Sequence, residues 1–162
     1  IKYLKKKLNN ISYKRISKLD IYSQEISKYV AVIAQQKEIR KIIDKLQKKI
    51  IKNNNRICIE GRDIGTVILP KADIKFYFTC GLDVAAKRRF KELRKKYKNV
   101  RLVDVKKSLK IRNYRDKNRK NSPLIQSKDA VIVRTDKLKN IPGMINKMSE
   151  IVEKKIKEKY GS

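Results

Sequence analysis

Histidine and tryptophan are absent from the 162 residues. Without histidine, a histidine general base and the common zinc centres are excluded. Cysteine is scarce: only Cys58 and Cys80 occur, both inside apolar, strand-like runs (RICIE and KFYFTC). They read as buried reduced thiols of a cytosolic protein, and neither as a disulfide framework nor as a metal site. No window approaches the roughly 18–20 apolar residues of a transmembrane helix. The opening IKYLKKKLNN lacks the apolar core and small-residue cleavage site of a secretory signal. These absences predict a cytoplasmic chain with no membrane partner.

Acidic residues are few as well. Sixteen Asp and Glu face 45 Lys and Arg, a formal net charge of +29. One reading of that charge is an anionic partner such as nucleic acid, nucleotide or anionic lipid. The other is a genome biased toward Lys, Ile and Asn codons, which scatters lysine over any solvated surface. The lysines run along the whole chain without a tract of five or six, which fits the second reading better. The arginines are fewer and more clustered, and carry more information. At 40% hydrophobic residues the chain holds enough apolar surface for one domain with a core, and is too short for two ordinary ones.

Residues 1–20 are basic and weakly patterned, room for one short helix or edge strand. From Ser23 to Lys52, apolar residues from Ile26 to Ile50 recur at three- and four-residue steps, predicting one or two amphipathic helices bent near Gln35–Lys37. Arg56–Glu60 reads as a buried parallel strand. Ile64–Pro70 reads as a loop or short strand, and Ile74–Thr79 as a second strand. Asp83 is placed to cap a helix reaching about Tyr97. Val103–Arg119 forms another helix, closed by Ser122–Pro123. Ala130–Val133 is a third strand, and Ile141–Lys159 a closing amphipathic helix. Strands alternating with helices predict βαβ units, a parallel sheet and an α/β fold, with no internal repeat or long linker.

Three motifs carry chemistry. Glu60-Gly61-Arg62-Asp63-Ile64-Gly65-Thr66 follows a predicted strand, where open α/β sheets bind ligands. Its glycines allow unusual backbone angles or close approach. They bracket an arginine, a fork suited to phosphate, and an aspartate, an acceptor suited to an exocyclic amine. An internal Arg–Asp pair in a plain loop explains the same residues. In the second motif, positions 112, 115, 116 and 119 of the predicted helix share one stripe, holding Arg112, Arg115, Asp116 and Arg119. Guanidiniums at that spacing repel, and an incoming polyanion would relieve them; a merely solvated basic face is the alternative. The third, Ala86–Leu93 (AKRRFKEL), is read mainly as a helix surface snorkelling over its own sheet.

Taken in order, these runs resemble a family. EGRDIGTVILPKADIKFYFT is similar to the signature of bacterial cytidylate kinases, and AKRRFKEL follows at the family's spacing. IRNYRDKNRKNSPLIQSKDAVIV resembles the family's lid, and IYSQEISKYVAVIAQQKEIR its CMP-side helix, over roughly residues 21–152. The resemblance implies a P-loop kinase fold: a parallel sheet flanked by helices, incomplete at the N-terminus, with a helical lid. Within one nucleoside monophosphate kinase domain spanning 1–162, it implies a CMP-side region at 1–52 and core strands and a helix at 53–100. The lid would span 101–124, and a core strand with the C-terminal helix 125–162.

The implied activity is transfer of the ATP γ-phosphoryl group to CMP or dCMP, with Mg2+ held mainly by the nucleotide phosphates and no protein metal ligand. Arg62, Arg112 and Arg119 would be catalytic. Arg40, Arg62, Asp63, Arg112, Asp116 and Arg119 would bind CMP: Arg62 on the acceptor phosphate, Asp63 on the cytosine amine, Arg112 and Asp116 on ribose and phosphate. Arg115 would be a further lid contact to phosphate. Ala31 stands where the family has a nucleotide-contacting serine, Asn113 where an aspartate often follows the lid arginine, and Arg134 in place of an acidic residue. No G-x-x-x-x-G-K-[ST] motif occurs in the chain. The resemblance places that motif upstream, in about 60–80 further residues. A monomer working on small nucleotides is expected. A basic RNA- or ribosome-binding module on a kinase-like scaffold, and a kinase preferring UMP or AMP, remain as alternatives.

Overall fold

The computed structural model describes residues 2–3, 6, 24–54, 56–137 and 141–161, with the side chains of residues 24, 27, 28 and 31 outside the description. Most of the short helix or edge strand expected within residues 1–20, and the side chain of Ala31, therefore lie outside the described residues. The chain forms two compact units: Ile1–Leu69 with Arg115–Leu124, and Pro70–Tyr114 with Ile125–Ser162.

In the first unit, helix α1 (Gln24–Ile33) and helix α2 (Lys37–Lys52) are separated by a turn at the bend that the periodicity predicts. Glu38 in the first turn of α2 and Lys49 and Lys52 in its last complement the helix dipole. Its apolar residues recur on one side, and α2 packs against the segment that follows Asp63.

That segment, expected as a loop or strand, is one π-helical turn, Ile64–Ile68. The Asp63 carbonyl accepts from the amides of Thr66, Val67 and Ile68 at 3.3, 2.9 and 3.4 Å. Ile68 is buried beneath the turn. A Cβ on Gly61 would lie 2.7 Å from Ile64 Cγ1, so glycine is needed there for close approach. Neither Gly61 nor Gly65 adopts a positive φ.

The strand expected at Arg56–Glu60 does not form. A strand exists only where a neighbour receives its backbone bonds, and this run joins no ladder among the described residues. Cys58 is consequently exposed, contrary to the buried thiol expected.

The second unit holds the sheet. Strand β1 (Phe76–Thr79) pairs in parallel with β2 (Val131–Arg134), with Phe76 opposite Val131 and Thr79 opposite Arg134. Their β-branched and aromatic residues suit a pleated surface. Two helices lie between the strands in sequence, α3 (Leu82–Arg94) and α4 (Leu102–Asn118), and α5 (Ile141–Tyr160) follows β2. Ala86, Leu93, Val105 and Val133 are buried. This parallel α/β arrangement is the class the alternation of elements predicts. The expected strand limits are shortened at Ile74 and moved by one residue at Ala130.

Asp83 does not cap α3. Gly81 holds the N-cap position in extended backbone, and Asp83 lies in the first turn, where its charge favours the helix dipole. The helix closes at Arg94 and not at Tyr97. Cys80 lies just past the end of β1, where the ladder no longer covers it, and is exposed rather than buried.

Side chains pin both ends of the sheet. At its start Lys75 Nζ donates to Asp129 Oδ2 at 2.6 Å and to the Pro70 carbonyl at 2.5 Å. At the carboxyl end the Gly81 amide donates to Asp136 Oδ1 at 2.6 Å, and Arg88 Nη2 to the Thr135 carbonyl at 2.6 Å. Arg88 thus lies over its own sheet, as the reading of AKRRFKEL expects.

Candidate functional site

The first unit gathers five charged side chains from three stretches of sequence. Helix α2 supplies Arg40, the loop before the π-turn supplies Arg62 and Asp63, and the last turn of α4 supplies Asp116. Arg119 comes from the chain just beyond α4. Arg40 Nη2 donates to Asp63 Oδ2. Arg62 Nε lies 3.2 Å from Asp116 Oδ2. Arg119 stands between the two acids, Nη2 at 3.6 Å from Asp63 Oδ1 and Nη1 at 3.6 Å from Asp116 Oδ1. The result is a chain of alternating charge: Arg40, Asp63, Arg119, Asp116, Arg62.

The helix terminus explains Arg119. Because α4 stops at Asn118, Arg119 is released from the helical stripe and turns inward. Its Nε donates to the Ser122 carbonyl at 2.6 Å, and the Leu124 amide donates to the Asp116 carbonyl at 2.7 Å. Ser122 adopts φ 50°, a left-handed conformation uncommon for a residue with a Cβ. The segment after the helix is therefore folded back tightly, with Arg119 held from below.

The expected stripe of three guanidiniums is accordingly divided. The Arg119 side chain is only 7% exposed, whereas Arg112, in the second unit, and Arg115 are exposed. A helix-long stripe would require α4 to continue one residue further. Arg62, at 36% exposure, is the guanidinium of the cluster that opens to water.

The cluster is not internally complete. Arg40 Nε and Arg119 Nη2 are buried without a hydrogen-bond partner among the described residues. A buried donor left unsatisfied costs about 1–3 kcal/mol, more when charged. Burial lowers the pKa of Arg119, and the neighbouring Arg40 guanidinium lowers it further. Two guanidiniums held close, partly desolvated, with donors unfilled, can receive the oxygens of an anion. Asp63 can accept from an amine.

Sequence reasoning misses Asp44, Thr66 and Ser122. Asp44 lies four residues after Arg40 on α2 and is half-buried. Desolvation raises its pKa, opposed by Arg40 and reinforced by Asp63. An acid among the isoleucines and lysines of α2, one turn from an arginine, is the signal that could have found it. Thr66 Oγ1 donates to the Asp63 carbonyl at 3.3 Å and steadies the loop. Nothing in the sequence marks the left-handed Ser122.

A parallel α/β frame together with a glycine loop and a desolvated arginine cluster defines the class: an α/β protein equipped to hold an anionic ligand. The chain belongs to the cytidylate kinase family, whose model, described as cytidylate kinase, matches residues 4–154. It is 41% identical over 137 residues to a cytidylate kinase of Clostridium botulinum (strain Okra / Type B1), covering 85% of this chain and 60% of that protein. It is 36% identical to a cytidylate kinase of Leuconostoc mesenteroides, with the same coverage. A cytidylate kinase of Rickettsia canadensis is 39% identical over 123 residues, covering 76% of this chain and 56% of that protein. The chain thus spans about 60% of the length of the first two relatives.

Proposed function

We propose that this chain supplies the acceptor side of a cytidylate kinase, which transfers the γ-phosphoryl group of ATP to CMP or dCMP. The observation that carries the reading is the pair of buried guanidiniums, Arg40 and Arg119, with unfilled donors at Nε and Nη2 beside Asp63. In this reading Arg62, the most open guanidinium of the cluster, takes the acceptor phosphate. Arg119 and Arg40 complete its counter-charge. Asp63 accepts from the cytosine amine, and Asp116, ion-paired with Arg62, turns to the ribose. Arg112 and Arg115, both exposed on α4, are the further lid contacts to phosphate in this reading.

Little covalent help is needed for phosphoryl transfer, so positioned positive charge supplies most of the rate. Among the described residues no three Asp, Glu, His or Cys side chains gather as metal ligands. In this reading Mg2+ arrives on the nucleotide phosphates. No helix of the described residues is long and apolar enough to cross a membrane, and a cytoplasmic monomer is the setting we infer. The relatives' shared name favours neither an RNA-binding module nor a UMP or AMP acceptor.

Steady-state kinetics on the protein expressed from its whole gene test the reading. Arg62→Ala should raise KM for CMP and lower kcat while leaving KM for ATP within about twofold, since one charge-assisted phosphate bond is removed. Unchanged CMP kinetics would overturn it.

A further inference from the structure

Asp44 has no place in the roles assigned above, yet it belongs to the same cluster. It follows Arg40 by four residues on α2, so the two side chains rise from one face of the helix. Around it stand Arg40 and Lys48 from its own helix, Asp63 from the loop before the π-turn, and Arg119 from the chain after α4. It is half-buried, and no ion pair to it is formed within 4 Å among the described residues. Asp63 and Asp116 are each locked to guanidiniums. Asp44 is the carboxylate of the group that stands near Arg40 and Arg119 without being spent on either.

A negative charge in that position opposes an incoming anion. It also lessens the mutual repulsion of Arg40 and Arg119, which otherwise have only Asp63 between them. We propose that Asp44 is a positioning residue of this site, a counter-charge that sets how strongly the Arg40–Arg119 pair attracts the phosphate of the acceptor nucleotide. The inference rests on the reading that the cluster receives a nucleoside monophosphate. Physically, Asp44 holds the two guanidiniums near one another in the empty site, and weakens their hold on the phosphate once it arrives. Its firmly held proton adds a consequence. As pH falls, Asp44 is neutralised before an ordinary aspartate would be, and the pair becomes a stronger anion trap.

Calorimetric titration of the 162-residue chain with two probes tests this: CMP, and inorganic sulfate, whose charge is constant across the acid range. Asp44→Asn keeps the side-chain shape and removes the charge. It should bind both probes about three- to tenfold more tightly at neutral pH, the effect of one screened, half-exposed charge. The advantage should shrink toward none as the pH is lowered and wild-type Asp44 takes up its proton. Asp44→Glu should return affinity toward wild type, which a merely steric effect would not do. Equal sulfate affinity of wild type and Asp44→Asn at every pH overturns the role of Asp44, whatever CMP does. Sulfate tightening in Asp44→Asn with no CMP binding by either protein supports Asp44 as counter-charge and overturns the acceptor-nucleotide reading instead. Failure of both probes to bind overturns both.

Discussion

Asp63 concentrates the most consequences in one side chain. It pairs with Arg40 and Arg119, and its carbonyl anchors the π-turn. Removing one partner of a buried pair strands the other charge, at a cost of about 3–5 kcal/mol. Asp63→Ala should therefore lower the melting temperature markedly as well as weaken CMP. Asp63→Asn keeps an acceptor oxygen and should retain more of the stability; equal melting temperatures for wild type and Asp63→Ala would show that the pairs contribute nothing.

Asp44 behaves in the opposite sense. The folded protein holds its proton more firmly than the unfolded chain does. Its contribution to stability is thus fullest below the ordinary carboxylate range and is lost as pH rises through its raised pKa. Asp44→Asn should raise the melting temperature near neutral pH and steepen the acid limb of the stability curve, because the variant lacks the stability that wild type gains as Asp44 takes up its proton; a lower melting temperature at neutral pH would contradict this. Arg62, Asp63 and Asp116 were legible in the sequence because a glycine loop and an R-D-x-x-R run announce them. Asp44 was not, since its relevance depends on which residues fold against α2.

At the scale of elements, the decisive feature is where α4 ends. The periodicity of the sequence carries Arg112, Arg115 and Arg119 on one stripe, and no propensity rule separates Asn118 from Arg119. The separation comes from the way residues 116–124 fold back after the helix, with Arg119 donating to the Ser122 carbonyl and the Leu124 amide to the Asp116 carbonyl. The same blindness accounts for Arg56–Glu60, whose apolar pattern suits a strand but which finds no ladder partner among the described residues. Helices α1 and α2 and the parallel pair were legible, because periodicity and β-branched runs depend on short-range pattern.

Two mutational outcomes follow at this scale. Arg112→Ala, at an exposed position, should change stability by no more than about 0.5 kcal/mol, yet reduce kcat and apparent CMP affinity together by roughly tenfold or more if it meets nucleotide on closure. Arg119→Ala should harm both kinetics and melting temperature, because the side chain is buried and bonded. Normal kinetics in both variants would remove the lid from the mechanism. Separately, Ser122→Val should cost about 1–3 kcal/mol by forcing a β-branched residue into the left-handed region, whereas Ser122→Gly should be tolerated; melting curves of the two variants decide it.

For the whole molecule, composition and chemistry point in different directions. The +29 charge is spread over lysines along the chain, while the candidate site is a handful of arginines and aspartates in the first unit. The 162 residues contain no G-x-x-x-x-G-K-[ST] to grip the β- and γ-phosphates of ATP. By themselves they should show no CMP-dependent release of ADP in a coupled assay, and measurable turnover would refute that expectation.

What the chain should do by itself is bind the acceptor, and calorimetric titration of residues 1–162 with CMP and with UMP is the most direct test. Saturable CMP binding is expected, with UMP weaker by about tenfold or more, because Asp63 accepts a charge-assisted bond from the cytosine amine where uracil carries a carbonyl oxygen. Asp63→Asn should weaken CMP by about tenfold without weakening UMP. Equal affinity for the two nucleotides, or discrimination that survives in Asp63→Asn, would contradict the assignment of this cluster as a cytidylate acceptor site.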